Sequence, residues 1–438
     1  MKKIVVMVIT VILVIGLSAD IFAGGAQATT AKPTIRFANF WTDATYTGKK
    51  FKEGFAAFAE KNKDLADFKM EIAQFDAQRD KIKIDLAANN LPDVFIYWDY
   101  TLYSPMVEAG LLLEVKEYIN KSKVLKWGDI PQNAWDSNTP DGKNYYGIPM
   151  KGFVDFFMAN REIFKKYNLK YPTTYDELIS AGKVLQQNGI IPLAIGSKGG
   201  NASHFFHAEL LQQYVDMNWM TGITTGKSRF DSPEMLKASQ LCMDMAKAGL
   251  FPKDTIGSGE FAPPASLMNE ERAAMILAQT WMINMFKEDI AKKFDYVPIP
   301  KMPGAKYDPA GFRIAVANNS WLINKASFDD PKKQAGMIAL LDWLNSDEVV
   351  GYVAEGGDWI VKKVTLDESK LLPFYVTVMN WENKANKKGA QMVYSMLPDP
   401  IVQEAYSAAL DELWAQAITA EQFVKKVQAV LDKQLAGK

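Results

Sequence analysis

The segment Asn90-Leu91-Pro92-Asp93-Val94-Phe95-Ile96-Tyr97-Trp98-Asp99 carries the clearest chemistry in this 438-residue chain. A short apolar run passes without a break into an aromatic ring and a carboxylate. The run reads as a buried strand, and in an open α/β sheet the carboxyl ends of the strands face the ligand crevice. Trp98 and Asp99 would arrive there side by side. That pairing suits a sugar: a ring covers the apolar C–H face of a pyranose, and a carboxylate accepts hydrogen bonds from hydroxyls more strongly than a neutral group does. A Trp packed beneath a loop is the plain structural alternative.

Catalytic patterns are weaker. Gly222-Ile223-Thr224-Thr225-Gly226-Lys227-Ser228 is one residue short of the G-x-x-x-x-G-K-[ST] phosphate loop. His204 and His207 are the only two histidines, and no nearby Cys or acidic cluster completes a metal shell. Neither a G-x-S-x-G elbow nor an H-E-x-x-H helix occurs. Paired carboxylates at a glycosidase spacing stay open at this level, so a secreted glycoside hydrolase is the enzymatic rival to a binding function. The single Cys242 rules out an intrachain disulfide; within an apolar-periodic stretch it reads as a buried, inert thiol.

The elements that must position these groups alternate along the chain. Thr34 to Phe40 reads as a strand, followed by a helix with Phe51, Phe55 and Phe58 on one face. Phe68 to Ile72 is a second strand, Ile82 and Leu86 mark a helix, and Val94 to Tyr97 is a third strand. This βαβαβ order predicts a parallel, doubly wound sheet. A second unit is expected to start near Tyr146-Gly147-Ile148-Pro149. In it, Thr174 and Glu177 form a capping box opening a helix, and Ile190 to Ile195 is a strand leading into a Gly/Ser-rich loop, Gly196 to Ser203. Ser232 caps a helix that has Pro233 at its first position and ends near Gly249. Phe294 to Pro300 reads as an extended return path, and Ser320 to Asn324 as another strand. Asp330-Pro331 should begin a helix with a stripe of Met337, Leu340, Leu341 and Leu344, and Thr419 with Gln422 caps the last helix.

Composition narrows the partners. A hydrophobic fraction of 48% with 23% charged residues is that of a globular protein, and the net charge of -1 leaves no electrostatic footprint for nucleic acid or an anionic membrane. At the N-terminus, Lys2-Lys3 precede an apolar run from Ile4 to Leu17 and then small residues through Ala28. This predicts a secretory signal, residues 1–28, cleaved after Ala23 or Ala28. The run is too short to span a bilayer, and no Cys follows it for lipid attachment, so the mature chain is expected free in the periplasm or secreted.

Several ordered segments carry a family resemblance: Asn89 to Val94 running on to Glu108-Ala109-Gly110-Leu111-Leu112; Tyr146 to Pro149 before Ala159 to Phe164; Tyr171 to Leu178; Ala273-Ala274-Met275 before Thr280-Trp281; and Val297 to Pro300. In their order and spacing the chain resembles the extracytoplasmic solute-binding proteins of bacterial ABC importers, in the group that captures sugars and oligosaccharides. The resemblance implies a two-lobed α/β periplasmic-binding-protein fold, each lobe a doubly wound sheet flanked by helices, joined by a multi-strand hinge. One lobe would be residues 29–148 plus 295–341, the other 149–294 plus 342–438. Ligand would sit between them, and the loaded clamp, a monomer without cofactor or metal, would dock on permease subunits driven by a cytoplasmic ATPase.

Carried over by position, the resemblance implies a crevice lined by Phe40, Trp41, Asp43, Phe75, Asp76, Trp98 and Asp99 from the first lobe. Phe153, Asp155, His204 and Trp281 would face them from the second. Asn318, Asn319, Gly357, Asp358 and Trp359 complete the set. It holds carboxylates and no Arg, which favours a neutral sugar over an anion. A ligand-loaded partner of a membrane sensor would keep the same clamp.

Overall fold

In the βαβαβ stretch the local periodicity is realised as expected. The computed structural model describes residues 32–98, 100–136, 138–139, 143–198, 201–309, 315–384, 397 and 399–437; the expected signal segment lies outside them. Strand β1 (Thr34–Asn39) leads into helix α1 (Tyr46–Lys61), which opens where the Thr45 side chain accepts from the Gly48 N–H and buries Phe51, Phe55 and Phe58. Strand β2 (Asp67–Ile72), helix α2 (Phe75–Ala87) and strand β3 (Val94–Tyr97) follow. Both β2 and β3 pair with β1 in parallel.

The next strand is the central girder. Strand β4 (Gly147–Asn160) is buried along its whole length, so no polar alternation marks it in the sequence. The Tyr146-to-Pro149 segment therefore does not start a separate unit. Its first half pairs antiparallel with β8 (Ala315–Ile323), which in turn pairs antiparallel with β3. Its second half pairs antiparallel with β6 (Ala273–Gln279) and β7 (Phe294–Val297), and β5 (Ile191–Ala194) lies parallel to β6. The described strands thus form one path, β2-β1-β3-β8-β4-β6-β5, with β7 and β9 (Trp359–Ile360) joined to β4 beside it. Between the halves the β4–β8 register shifts at Pro149/Lys151 and again at Lys151/Gly152, a local irregularity of the kind that bends a strand.

Each half has its own core. Phe37, Phe51, Ile96, Trp135, Ile148 and Trp321 pack in the first; Phe157, Phe206, Cys242, Tyr406 and Phe423 pack in the second. Packing crosses two of the expected lobe borders. Val297, Ile299 and Met302 pack in the second core, while Val349 and Val353 of the helix Asp347–Glu355 pack in the first.

Caps mostly follow expectation. Ser232 accepts from Met235 N–H to open Pro233–Lys247, Gly249 takes φ +72, and Thr419 with Gln422 makes a reciprocal box. Two details differ. Glu177 bonds Thr173, at its N–H and hydroxyl, so Thr174 caps the helix Tyr175–Gln187 without reciprocation. The helix carrying Met337, Leu340, Leu341 and Leu344 begins at Gln334, because 331–333 form a turn after Asp330.

Candidate functional site

The carboxyl ends of β1 and β3 meet at one end of the first sheet. Asn319 of β8 pairs with Lys151 of β4 and directly precedes Ser320, the partner of Tyr97, so it lies beside the exit of β3. Helix α2 starts at the same end, since β2 is parallel to β1. Its Arg79 guanidinium lies 5.1 Å from the centre of the Trp98 ring. Half-buried Trp98 also leans on Phe40, with centroids 5.4 Å apart. Asp99 and the side chains of Phe75, Asp76 and Asn318 lie outside the described residues.

Trp41 is buried against Phe51, rings stacked at 4.7 Å, and its indole N–H donates to Asp358 Oδ2 at 3.2 Å. Asp358 Oδ1 accepts from the Lys151 ammonium at 2.5 Å, and both side chains are only 6% exposed. The same ammonium lies 5.2 Å from the Phe40 ring centre and 5.8 Å from that of Trp41. Lys151 sits at the register shift of β4 and pairs there with Ile360 of β9, so this cluster ties three chain segments together where the two halves join. The polar atoms of Trp41 and Asp358, both expected to face ligand, are thus engaged with the protein. Asp43 is exposed and paired with Lys52 at 2.5 Å. Trp359 is half-buried and tilted over Tyr375 at 5.3 Å.

Four residues beyond Lys151, roughly 13 Å along the strand, β4 carries Asp155. It shares a face with Phe153 and Phe157, which pack into the second core; Phe153 meets Phe205 edge-on at 5.1 Å. Asp155 is 1% exposed, and neither carboxyl oxygen has a hydrogen-bond partner. Burial and then the negative charge of Glu209 push its carboxyl well above the ordinary range, against a smaller opposing pull from Gln279. Gln279, the source of that pull, is its cross-strand partner on β6; its Nε2 has no other partner, while its Oε1 accepts from the Trp281 indole at 2.7 Å. Thr280 Oγ1 is likewise buried and unpartnered. Half-buried Trp281 meets Phe261 edge-on at 4.9 Å.

The histidines divide. Both lie on the helix Asn201–Leu211, and burial lowers each to about 3, so both are neutral. Ser239 gives its proton to Met235 O at 2.7 Å, so His207 Nε2 donates to Ser239 Oγ at 3.0 Å and Nδ1 accepts from Tyr406 at 2.7 Å. That is a core histidine. His204 is buried beside Tyr406, ring centres 4.9 Å apart. The phosphate-loop look-alike closes the helix Met217–Thr224, with Ser228 N–H donating to Gly222 O at 3.1 Å; the carbonyl end of a helix does not attract phosphate.

Sequence reasoning missed Asn39, Gln78, Arg79, Lys151, Gln279 and Thr280. Asn39 Nδ2, both ends of the Gln78 amide and Asn319 Nδ2 are buried without partners. The available signal was position: Asn39 precedes Phe40, and Gln279-Thr280 precede Trp281, each a polar residue ending an apolar strand. Not every unpartnered atom is of this kind, since the indole N–H groups of Trp321 and Trp414 lie in the two cores.

One long strand joining two halves, with aromatic and unsatisfied polar groups near the crossing, defines a two-lobed binding protein. A family model for the bacterial extracellular solute-binding proteins matches residues 41–351, and the chain belongs to that family. It is the solute-binding component of an ABC transporter. An uncharacterized ABC transporter extracellular-binding protein of Pyrococcus horikoshii is 23% identical over 321 residues, 68% of each chain. A structure from work on xylan utilization by the thermophilic bacterium Caldanaerobius polysaccharolyticus is 25% identical with a TM-score of 0.79, covering 91% of this chain and 99% of the other. A chitin oligosaccharide binding protein (21%, TM-score 0.75) covers 91% and 99%, and maltose-bound MalE3 of T. maritima (19%, TM-score 0.71) covers 92% and 99%. Among the described residues no helix is long and apolar enough to cross a membrane.

Proposed function

We propose that this chain captures a neutral sugar or oligosaccharide between its lobes and delivers it, as a monomer free in the periplasm or secreted, to the permease subunits and ATPase of its importer. It does no chemistry on the ligand. One observation carries the reading: buried polar atoms without a hydrogen-bond partner, on Asn39, Gln78, Asp155, Gln279, Thr280 and Asn319, occur on the strands and helix ends that carry or adjoin Trp98 and Trp281. An unsatisfied buried polar group costs about 1–3 kcal/mol, so such a concentration calls for a ligand rich in both donors and acceptors. Sugar hydroxyls supply both, and rings supply the face for the C–H surface. Structural neighbours described as binding chitin oligosaccharide or maltose support the same class.

In this reading the chain passes between lobes within β4, between Met302 and β8, and between Val353 and Leu371. A thermal-shift screen over mono- and oligosaccharides tests it, because a ligand that binds only the folded state raises the midpoint. The best sugar should also shrink the radius of gyration in small-angle scattering. A screen without any responding sugar, or protein-dependent release of reducing ends, would overturn the proposal.

A further inference from the structure

Asp155 differs from every other carboxylate described near the crossing. Its described neighbours lie on β6 and on the helix Asn201–Leu211. Gln279 faces it from β6, and Glu209, from the helix Asn201–Leu211, adds a second negative charge. Glu209 accepts from Gln212. His204 on that helix is neutral and contributes no positive charge. On β7 the nearest acid, Asp295, pairs with Ala159 in register and is held by Arg161 and Tyr171. Of the cations, Lys151 is taken by Asp358, and no Lys or Arg among the described residues forms an ion pair with Asp155. Among the described residues a carboxylate here would be a buried charge without a counter-ion, eased by Gln279 but opposed by Glu209, an unfavourable state for it.

We propose that Asp155 stands in the closed clamp as a neutral carboxylic acid and donates its proton in a hydrogen bond to an acceptor oxygen of the ligand. This rests on the sugar reading above and deepens it. The part of the ligand over β4 then presents an oxygen with a free lone pair, such as a ring, glycosidic or acetamido carbonyl oxygen, while the carboxyl C=O accepts from a ligand hydroxyl. A neutral carboxyl is one of the few side chains able to do both from one position. Gln279 Nε2 and Thr280 Oγ1 stand ready as further partners on the adjoining strand.

Infrared difference spectra of wild type against Asp155→Asn test the protonation state directly, in sugar-free protein at about neutral pH. The expected result is a C=O stretch of a neutral carboxyl in the wild type that is absent from the variant. The probe ligand is the best binder among maltose, xylobiose and di-N-acetylchitobiose. Adding it should shift the band to lower frequency. Because an amide both donates and accepts, Asp155→Asn should bind that sugar within about threefold of wild type, and Asp155→Leu should lose about tenfold or more. Absence of the band, an affinity that rises with pH, or a tenfold loss in Asp155→Asn overturns the donor role while leaving sugar binding intact. A wild type that shows the band but binds none of the sugars overturns the parent reading instead, and the donor role with it.

Discussion

Two buried aspartates near the lobe crossing make a natural comparison. Asp358 and Asp155 are 4% and 1% exposed. Asp358 accepts an ammonium on one oxygen and an indole N–H on the other, whereas Asp155 accepts nothing. The same side chain at similar depth therefore serves opposite ends. The satisfied carboxylate fixes how β4, β9 and the exit of β1 meet, and a satisfied group has nothing left to offer a ligand. The unsatisfied one costs stability, as an unpaired buried polar group does. Burial alone does not separate the two aspartates; their hydrogen bonding does.

The largest expected effect lies on the Asp358 side. Lys151→Met leaves a buried carboxylate without its counter-ion and should destabilise the fold by about 3–5 kcal/mol in denaturant unfolding. On the Asp155 side the sign reverses, since Asp155→Leu removes an unsatisfied polar group and should leave stability unchanged or raised by up to about 3 kcal/mol. Equal losses in the two variants would erase the contrast.

Acid tests the surroundings of Asp155. Burial lowers His204 and His207 to about 3, below their ordinary value near 6.5. A depressed folded value means that each histidine's contribution is present above about pH 6.5 and is lost as pH falls towards about 3, with a slope of up to about 1.4 kcal/mol per pH unit for each. Asp155 opposes this trend: its raised carboxyl contributes fully below the unfolded-state value near 3.9 and loses that contribution as pH rises through the folded value. Unfolding free energies across pH should therefore have a shallower acid limb in His207→Gln than in wild type. An unchanged limb would mean that His207 is hydrated in solution.

Smaller effects separate ligand contact from surface charge. Trp281→Ala should weaken binding of the best sugar by about 1–3 kcal/mol in calorimetric titration while the melting temperature moves by a few degrees. Retained affinity with a large loss of stability would make that ring part of the core. Asp43→Ala should change neither stability nor affinity by more than about 0.5 kcal/mol, because its carboxylate is 53% exposed and paired with surface Lys52. A tenfold loss of affinity there would return Asp43 to the ligand site.

Wherever structure follows from neighbours in the chain, it was legible in the sequence. The strands at Thr34, Phe68 and Val94, the Phe51-Phe55-Phe58 face and the Ser232 and Thr419 caps depend on residues a few positions apart, and periodicity and cap chemistry record such relations directly. The βαβαβ order then leaves few topologies, which is why the first sheet was readable before the long β4 girder, whose uniform burial erases alternation. For the candidate site the sequence offers a list of aromatic and acidic residues expected at strand exits, and no pairing among them. Lys151 meets Asp358 across 207 residues and Trp41 meets it across 317, separations over which no sequence pattern records who pairs with whom. Only the tertiary structure decides which buried polar groups are satisfied, because that depends on the distance and angle between atoms brought together by packing; here it gave Asp358 an ammonium and an indole N–H and left both oxygens of Asp155 without a hydrogen bond.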